Sequence, residues 1–417
     1  KLEQTLVGEL GFDSLMLVEL DQAIGKTWPS LGGLPRELFS KNTTSKTIID
    51  HVVQTLEGGV VAKAAPAEVA APVEQYAPSV VAAPLARLTE TVLTLDKPVL
   101  ITKDTRGIAD ALAARLQSRG VQVQVGDVST AGEFSGVINL VSDAADYRSA
   151  SRYALGLAKK LGAEKAELFV TVTTLGGSFD FGTATRETLG QSGALGFTRA
   201  LSAEWPDALV KAIDVDAALG AEAIADAIVA ELFSGDRNVE VGFTKSGRTA
   251  VSLSLGERGG VRGADLTADS VIVVTGGAKG LGLKFARGLA KAYGATLALT
   301  GRSKMDDELS KAVASVKSAG AKNVSYHVMN VRDAASVKTA IDEIRSKYGR
   351  VDAIVQNAGL LADALVEKKD VAALDSVLET KVGGALALLD ATAKAELTLF
   401  VGIGSWAGRF GHAAQTD

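Results

Sequence analysis

A glycine-rich loop at residues 275–282 carries the strongest chemical signal in this sequence. It reads Thr-Gly-Gly-Ala-Lys-Gly-Leu-Gly and lies between a predicted buried strand, Ser270–Thr275, and a predicted amphipathic helix, Leu281–Tyr293. Glycines let the backbone approach a pyrophosphate closely, and a helix N-terminus attracts negative charge. The sequence therefore predicts a dinucleotide site rather than a merely structural tight turn, with the members Thr275, Gly276, Gly277, Lys279, Gly280, Leu281 and Gly282.

The end of the next predicted strand indicates which dinucleotide binds. Arg302 and Ser303 follow the run Thr296–Thr300, where an enzyme that prefers NAD would carry a carboxylate for the ribose hydroxyls. A guanidinium with a hydroxyl suits a 2′-phosphate instead, and Lys279 adds a second positive charge. Either basic residue alone is more often a solvated surface side chain. The two together predict NADPH as the cofactor.

The motifs resemble those of the short-chain dehydrogenases/reductases. The pattern Thr-Gly-x-x-x-Gly-x-Gly begins at Thr275, an Asn-Ala-Gly segment at 357–359 follows the fourth strand, and Ser405 follows the fifth. More closely, residues 87–417 look like the ketoreductase of a modular or iterative polyketide synthase, which has a structural half followed by a catalytic half. The residue patterns at 203–206 and 407–411 are most similar to those of ketoreductases in polyunsaturated-fatty-acid synthases.

The resemblance implies further residues at the cofactor. Asn357, Ala358 and Gly359 match the segment that supports the nicotinamide riboside in this family. Asn330 and Val331 match a pair near the adenine, although the family usually has aspartate where Asn330 stands. Because an amide can still make one hydrogen bond there, we expect this departure to be minor.

Two residues match the catalytic positions of the family. Lys381 matches the catalytic lysine, whose charge could lower the pKa of a nearby phenol, and Ser405 matches the serine that bonds the substrate carbonyl. The alternatives are an exposed helix lysine and a serine that serves as a turn or cap residue. The family's general acid, a tyrosine, would fall at position 418. We therefore expect the sequence to be an excerpt of a longer polypeptide.

The resemblance also implies the configuration of the product. Ketoreductases that give the 3R hydroxyl usually carry Leu-Asp-Asp after the Asn-Ala-Gly segment, and this chain has Leu-Ala-Asp ending at Asp363. The opposite class usually has tryptophan where this chain has Phe410. The incomplete motif favours the 3R product, with Asp363 as the residue of stereocontrol.

A second candidate site lies near the N-terminus. Gly-Phe-Asp-Ser-Leu at 11–15, ahead of a predicted helix, is similar to the phosphopantetheine attachment site of acyl carrier proteins. The hydroxyl of Ser14 would meet a phosphodiester at the positive end of the helix. Asp13 and Ser14 alone would more often be an N-cap pair. The downstream helix at 47–53 and the tether that follows favour 4′-phosphopantetheine on Ser14.

Four regions must position these residues. Residues 1–57 contain two helical stretches and predict a partial helical-bundle carrier domain that is incomplete at its N-terminus. Residues 58–86 have prolines every six positions, from Pro66 to Pro84, and predict an extended linker rather than a surface strand pair inside one domain. Residues 87–265, the first half, and 266–417, the second half, alternate short β-branched runs with amphipathic ones. They predict two tandem Rossmann-like, doubly wound parallel sheets, an α/β fold in which only the second half carries the phosphate loop.

Composition excludes several classes of function. The chain has 417 residues, no cysteine and three histidines far apart, which argues against disulfide scaffolds, thiolate chemistry and histidine-rich metal sites. The net charge of −5 has no basic block, so nucleic acid is not an expected partner. No apolar run reaches the roughly 18 residues of a membrane span, and we expect a cytoplasmic protein.

These observations predict an NADPH-dependent reductase of 3-ketoacyl thioesters within a multienzyme synthase. The expected partners are the acyl carrier protein with its substrate, other synthase domains in cis and a phosphopantetheinyl transferase. One alternative is a ketoreductase-like scaffold without activity, which phenylalanine at position 418 would favour. Another is a free-standing reductase of small ketones, against which the fused carrier argues.

Overall fold

The computed structural model of the chain describes residues 2–6, 14–28, 31, 34–35, 38, 43–57, 76–85, 93, 95–141, 146–179, 181, 188–255, 265–393 and 397–417. The chain divides into two compact units, Lys1–Gln75 and Tyr76–Asp417. Across these described ranges, no helix is both long and apolar enough to cross a membrane.

The first unit contains two helices, α1 at Ser14–Thr27 and α2 at Ser45–Glu57. Both predicted helical stretches are therefore present. The backbone N–H of Leu34 donates to the Asp21 carboxylate at 2.6 Å, which ties the connecting segment to α1. The buried apolar side chains of the unit form one small cluster: Leu6, Leu17, Ile24, Leu31, Leu34, Ile48 and Val52.

The second unit begins with an eight-stranded sheet. Its strands are β1 (Tyr76–Ala82), β2 (Val99–Thr102), β3 (Val123–Gly126), β4 (Gly136–Leu140), β5 (Leu168–Thr173), β6 (Leu209–Val215), β7 (Glu240–Thr244) and β8 (Gly247–Leu255). Their spatial order is β1-β8-β7-β6-β5-β4-β2-β3. Strands β2 to β7 run parallel, and β8 is antiparallel to both of its neighbours.

Four helices cover this sheet on both faces. They are α3 (Ile108–Ser118), α4 (Tyr147–Leu161), α5 (Leu189–Glu204) and α6 (Ala221–Leu232). Helices α3 and α6 pack on one face, and α4 and α5 pack on the other. Helix α6 carries a local sequence signal, because its buried residues Ile224, Ile228 and Leu232 recur at four-residue intervals, the spacing of an amphipathic helix.

The structure corrects the C-terminal end of the predicted linker. Residues 76–82 form β1, which pairs with β8 from Tyr76 opposite Leu255 to Ala82 opposite Thr249. Strand β1 lies at the edge of the sheet, and an edge strand tolerates Pro78 because one row of its backbone groups needs no partner strand. The remainder of the predicted linker at 58–75 lies outside the described residues.

The second half forms a separate five-stranded sheet. Its strands are β9 (Val271–Thr275), β10 (Thr296–Gly301), β11 (Asn323–Val328), β12 (Ala353–Gln356) and β13 (Leu399–Gly402). Its helices are α7 (Gly280–Tyr293), α8 (Asp307–Ser318), α9 (Ala334–Tyr348), α10 (Val371–Leu378), α11 (Gly384–Ala391) and α12 (Trp406–Phe410). A π-helical turn, Glu379–Gly383, joins α10 to α11.

All five strands run parallel in the order β11-β10-β9-β12-β13. Helices α7 and α8 pack on one face, and α9 and α11 pack on the other. The prediction of two doubly wound sheets is therefore confirmed. The strand order reverses between β9 and β12, so the carboxyl ends of these two strands form the crevice in which such folds bind ligands.

Candidate active site

Thr275 joins the two strands that flank this crevice. It is fully buried at the end of β9, and its Oγ1 accepts hydrogen bonds from the backbone N–H groups of Asn357 at 3.0 Å and Ala358 at 2.9 Å. The same hydroxyl donates to Oε1 of Gln356. The amide of Gln356 in turn donates to the carbonyl of Thr380 at 3.0 Å. The glycine-rich loop, the Asn-Ala-Gly segment and the π-helical turn are thus held by one chain of hydrogen bonds.

The glycines of the loop are required by close backbone approaches. Gly276 has a φ of 61°, in the left-handed region. A Cβ on Gly277 would lie 2.7 Å from the carbonyl oxygen of Val274, and a Cβ on Gly282 would lie 2.2 Å from that of Gly276. Because Gly277 and Gly282 lack a Cβ, α7 can begin directly against the loop.

The N-terminus of α7 is suited to an anion. Lys279 precedes this helix, and its side chain makes no capping hydrogen bond in the described structure. The first turns of α8, α9 and α10 are instead capped by Asp306, Asp333 and Asp370. Because α7 is left without a carboxylate cap, its first backbone N–H groups can bind a phosphate, and the residues present fit a dinucleotide.

In the first half, the turn between β2 and α3 corresponds to the glycine-rich loop, and the Asp104 side chain fills it. The Asp104 carboxylate accepts hydrogen bonds from the backbone N–H groups of Arg106, Ile108 and Ala109 at 2.7, 3.2 and 2.8 Å. A phosphate at the start of α3 would meet this negative charge. The first half therefore has the nucleotide-binding shape with its anion position blocked.

The residues predicted to select NADPH lie at the surface. Arg302 and Ser303 follow β10 and are exposed, as are Lys279 and Leu281 in the loop. The Tyr326 hydroxyl donates to the carbonyl of Ser303 at 2.8 Å and fixes this turn. Exposed cationic side chains can reach a phosphate without breaking an internal ion pair.

The predicted adenine pair is split between surface and core. Asn330 is exposed, and its Oδ1 accepts a hydrogen bond from the backbone N–H of Arg332 at 3.2 Å. Val331 is 6% exposed and belongs to the apolar cluster beneath the sheet. Its side chain is therefore directed into the core.

Lys381 reaches from the π-helical turn to the ends of two strands. Its Nζ donates to the carbonyl of Ile403 at 3.1 Å, after β13. Its Cε and Nζ lie 2.9 Å from the position that a Cβ on Gly359 would occupy. Burial lowers the pKa of the Lys381 ammonium. The structure thus brings together Lys381, Gly359 and the segment that leads to Ser405.

Ser405 and Asp363 lie on the segments around this lysine. Ser405 is exposed and caps α12, since its Oγ accepts from the backbone N–H of Ala407 at 3.2 Å. Asp363 is exposed and accepts from the side-chain amide of Gln415 at 2.9 Å. The ring of Phe410, at the position where the resemblance implies tryptophan in the opposite product class, stacks on Trp406 with a centroid distance of 3.9 Å.

The N-terminal candidate is located only in part. Ser14 is the first residue of α1, as the predicted attachment site requires, but its side chain and residues 11–13 lie outside the described structure. Among the described residues, no group of histidine, aspartate and glutamate side chains could hold a metal ion.

Contacts from the first half to the site were missed by sequence reasoning. Arg148 of α4 pairs with Glu379 of the π-helical turn at 3.2 Å, and a Cβ on Gly383 would lie 2.8 Å from the Tyr147 hydroxyl. The carboxylate of Glu204 accepts from backbone N–H groups near Asp363 and Gln415. The charged residue types alone carry no signal for these contacts, because the partners are 160 or more positions apart.

Comparison with known proteins identifies relatives that match parts of this chain. A family model described as KR domain matches residues 270–417. Polyketide synthase PksL of Bacillus subtilis is 34% identical over 164 residues, which cover 38% of this chain and 4% of that protein. A polyunsaturated fatty acid synthase of Thraustochytrium sp. is 27% identical over 398 residues, which cover 78% of this chain and 14% of that protein.

A shorter relative is the 3-oxoacyl-[acyl-carrier-protein] reductase FabG of Salmonella typhimurium. It is 29% identical over 159 residues, which cover 35% of this chain and 59% of that protein. The chain thus spans less than two thirds of each of these relatives. Among solved structures, an N-terminal ketoreductase from the macrolactin assembly line has a TM-score of 0.64 at 18% identity, covering 82% of this chain and 76% of that one. This likeness extends the shared fold across both halves.

Proposed function

Since a family model described as KR domain matches residues 270–417, we propose that this chain is the ketoreductase segment of a multienzyme synthase. Its reaction is the NADPH-dependent reduction of a 3-ketoacyl thioester to the 3-hydroxyacyl thioester. The observation that carries the proposal is the position of Lys381, which lies against Gly359 and donates to the carbonyl of Ile403, two residues before Ser405. The segment that would support the cofactor, at Gly359, and the segment that leads to Ser405 therefore meet at the Lys381 ammonium.

The residues of the second half would divide the binding of the cofactor between them. The glycine-rich loop and the uncapped start of α7 would hold the pyrophosphate, and Arg302 with Lys279 would hold the 2′-phosphate. Asn357, Ala358 and Gly359 would support the nicotinamide riboside. When bound, NADPH supplies the hydride that reduces the β-carbonyl of the substrate.

The protein's own groups would stabilise the charge that develops on the carbonyl oxygen. The Ser405 hydroxyl is exposed at the start of α12, so it can donate a hydrogen bond to that oxygen. The Lys381 ammonium places a positive charge beside the same crevice, where it favours a negatively charged oxygen in the substrate or in a phenol. Asp363 is the proposed residue of stereocontrol, with the 3R alcohol as the product.

The test is NADPH oxidation, followed by absorbance, with a 3-ketoacyl thioester and the full-length protein. We expect Ser405→Ala and Lys381→Ala to lower kcat by about 10²-fold or more. The exposed Ser246 and Lys368 provide matched controls, and Ser246→Ala and Lys368→Ala should retain the rate. A folded protein that binds NADPH without turnover would refute the reductase and favour the scaffold alternative.

We further propose that Ser14 carries 4′-phosphopantetheine and that its flexible arm presents the acyl group. A tethered substrate reaches a neighbouring domain at high effective concentration, which suits other synthase domains in cis as partners. Incubation with coenzyme A and a phosphopantetheinyl transferase should add the mass of the arm, and Ser14→Ala should abolish the addition. Ser45→Ala, at the start of α2, is the matched control and should still be modified. Modification of the Ser14→Ala protein would refute the assignment.

A further inference from the structure

One carboxylate of the first half binds two separate segments of the second half. Glu204 is the last residue of α5 and is half-buried. Its Oε2 accepts a hydrogen bond from the backbone N–H of Val366 at 2.8 Å, and its Oε1 accepts one from that of Ala414 at 2.8 Å. The two donors are 48 positions apart in the chain, so this side chain acts as a bridge between them.

The two segments also bind each other. The backbone N–H of Ala364 donates to the carbonyl of Ala414 at 3.0 Å, and the side-chain amide of Gln415 donates to Asp363 at 2.9 Å. One segment, 361–366, carries Asp363. The other, 411–417, follows the short helix that Ser405 caps. Glu204 therefore closes a small hydrogen-bonded ring that contains both segments.

Helix α5 also determines the backbone shape of the 411–417 segment. Gly411 has a φ of 76°, and a Cβ there would lie 2.2 Å from the carbonyl oxygen of Arg199. Ala414 has a φ of 70°, an unfavourable value for a residue with a Cβ, so its conformation must be held by its surroundings. The hydrogen bond from Ala414 to Glu204 supplies such a constraint.

We propose that Glu204 is a positioning residue that fixes segment 361–366, which carries Asp363, relative to segment 411–417. Through the relative position of these two segments, it determines which face of the ketone the site presents to the cofactor. The inference rests on the proposed reductase function for its consequence, but its structural part stands on the hydrogen bonds alone. Two carboxylate oxygens match two N–H donors. A glutamine has one acceptor oxygen, and its NH₂ group would meet the second donor.

The first measurement is hydrogen–deuterium exchange of the chain without ligand, comparing unaltered protein with Glu204→Gln. Because glutamine keeps only one acceptor oxygen, at least one of the two amides, Val366 or Ala414, loses its hydrogen bond, and its exchange should speed up by about tenfold or more. Exchange in β5 and β6 should stay unchanged. Asp207→Asn, which alters an exposed acid three residues later, should change neither segment. Unchanged exchange at both amides, or equal acceleration across the whole sheet, would overturn the proposal.

The second measurement is the ratio of 3R to 3S alcohol that the full-length protein forms from a 3-ketoacyl thioester. Glu204→Gln should shift this ratio by about tenfold and raise KM, whereas a loss of stability alone would lower the active fraction at a constant ratio. Asp207→Asn should keep the ratio of the unaltered protein. A constant ratio in Glu204→Gln would overturn the positioning role. If the unaltered protein shows no turnover, the proposed reductase fails, and the exchange measurement decides the role of Glu204.

Discussion

Replacing Gly282 with alanine tests whether the close approach of α7 forms the dinucleotide site. The new Cβ would lie 2.2 Å from the carbonyl oxygen of Gly276 and 2.7 Å from Nδ2 of Asn357. The first of these atoms belongs to the backbone and cannot rotate away. The loop must therefore move by about 1 Å before the two atoms reach van der Waals separation.

The expected magnitude follows from this displacement. Overpacking of a close contact costs about 1–3 kcal/mol, and the strain falls on the loop that would hold the pyrophosphate. Since each 1.4 kcal/mol corresponds to about a tenfold change in affinity, we expect Gly282→Ala to weaken NADPH binding by about tenfold or more. The sheet beneath the loop is not touched by the new methyl group, so the global fold should persist.

The assay is a fluorescence titration with NADPH, accompanied by thermal unfolding of the protein without ligand. Gly288 provides a matched control in the same helix, because a Cβ there would meet nothing within 4 Å. Gly288→Ala should keep the affinity and raise stability by about 0.5–1 kcal/mol through helix propensity. Unchanged NADPH affinity in Gly282→Ala, or an equal loss in Gly288→Ala, would refute the reasoning.

Three other predictions concern charge. Arg302→Ala should weaken NADPH binding by about tenfold and leave NADH binding unchanged, as titration of both cofactors will test. Burial raises the pKa of Asp214 to about 6, because the folded protein favours the protonated carboxyl. This carboxyl therefore contributes stability at low pH, and the contribution is lost between about pH 4 and 6 as the pH rises. The urea-derived stability of the unaltered protein, relative to that of Asp214→Asn, should therefore fall by about 2 kcal/mol from pH 4 to 7, and a constant difference would contradict this. Glu231→Gln should destabilise the fold by about 3–5 kcal/mol, because buried Lys211 and Arg248 both pair with Glu231; a urea midpoint equal to that of the exposed control Glu222→Gln would contradict this.

Local patterns made the second half predictable. The loop at 275–282, the strand before it and the helix after it are neighbours in the chain, and their geometry depends on nearby backbone clashes. The positions of Lys381 and Ser405 followed from a family resemblance, and the structure places their segments together at one crevice. Helix α6 also had a local signal, in the spacing of Ile224 and Ile228.

Other features depend on residues far apart in the chain. The proline spacing of 58–86 indicated a tether throughout, yet residues 76–82 pair with a strand more than 160 positions later. Local sequence contains no information about that partner. The same applies to the buried Glu231 with its two cations, whose residue types alone would suggest a solvated surface.

The sequence by itself determined the two doubly wound sheets, the glycine loop in only one of them and the order of the segments that would bind NADPH. These depend on hydrophobic period and on glycine, whose effects act over a few residues. Only the tertiary structure decided that Glu204 holds two segments of the second half and that Arg148 pairs with Glu379. Those contacts arise where helix ends of one half meet loops of the other, so folding alone brings the partners within hydrogen-bond distance.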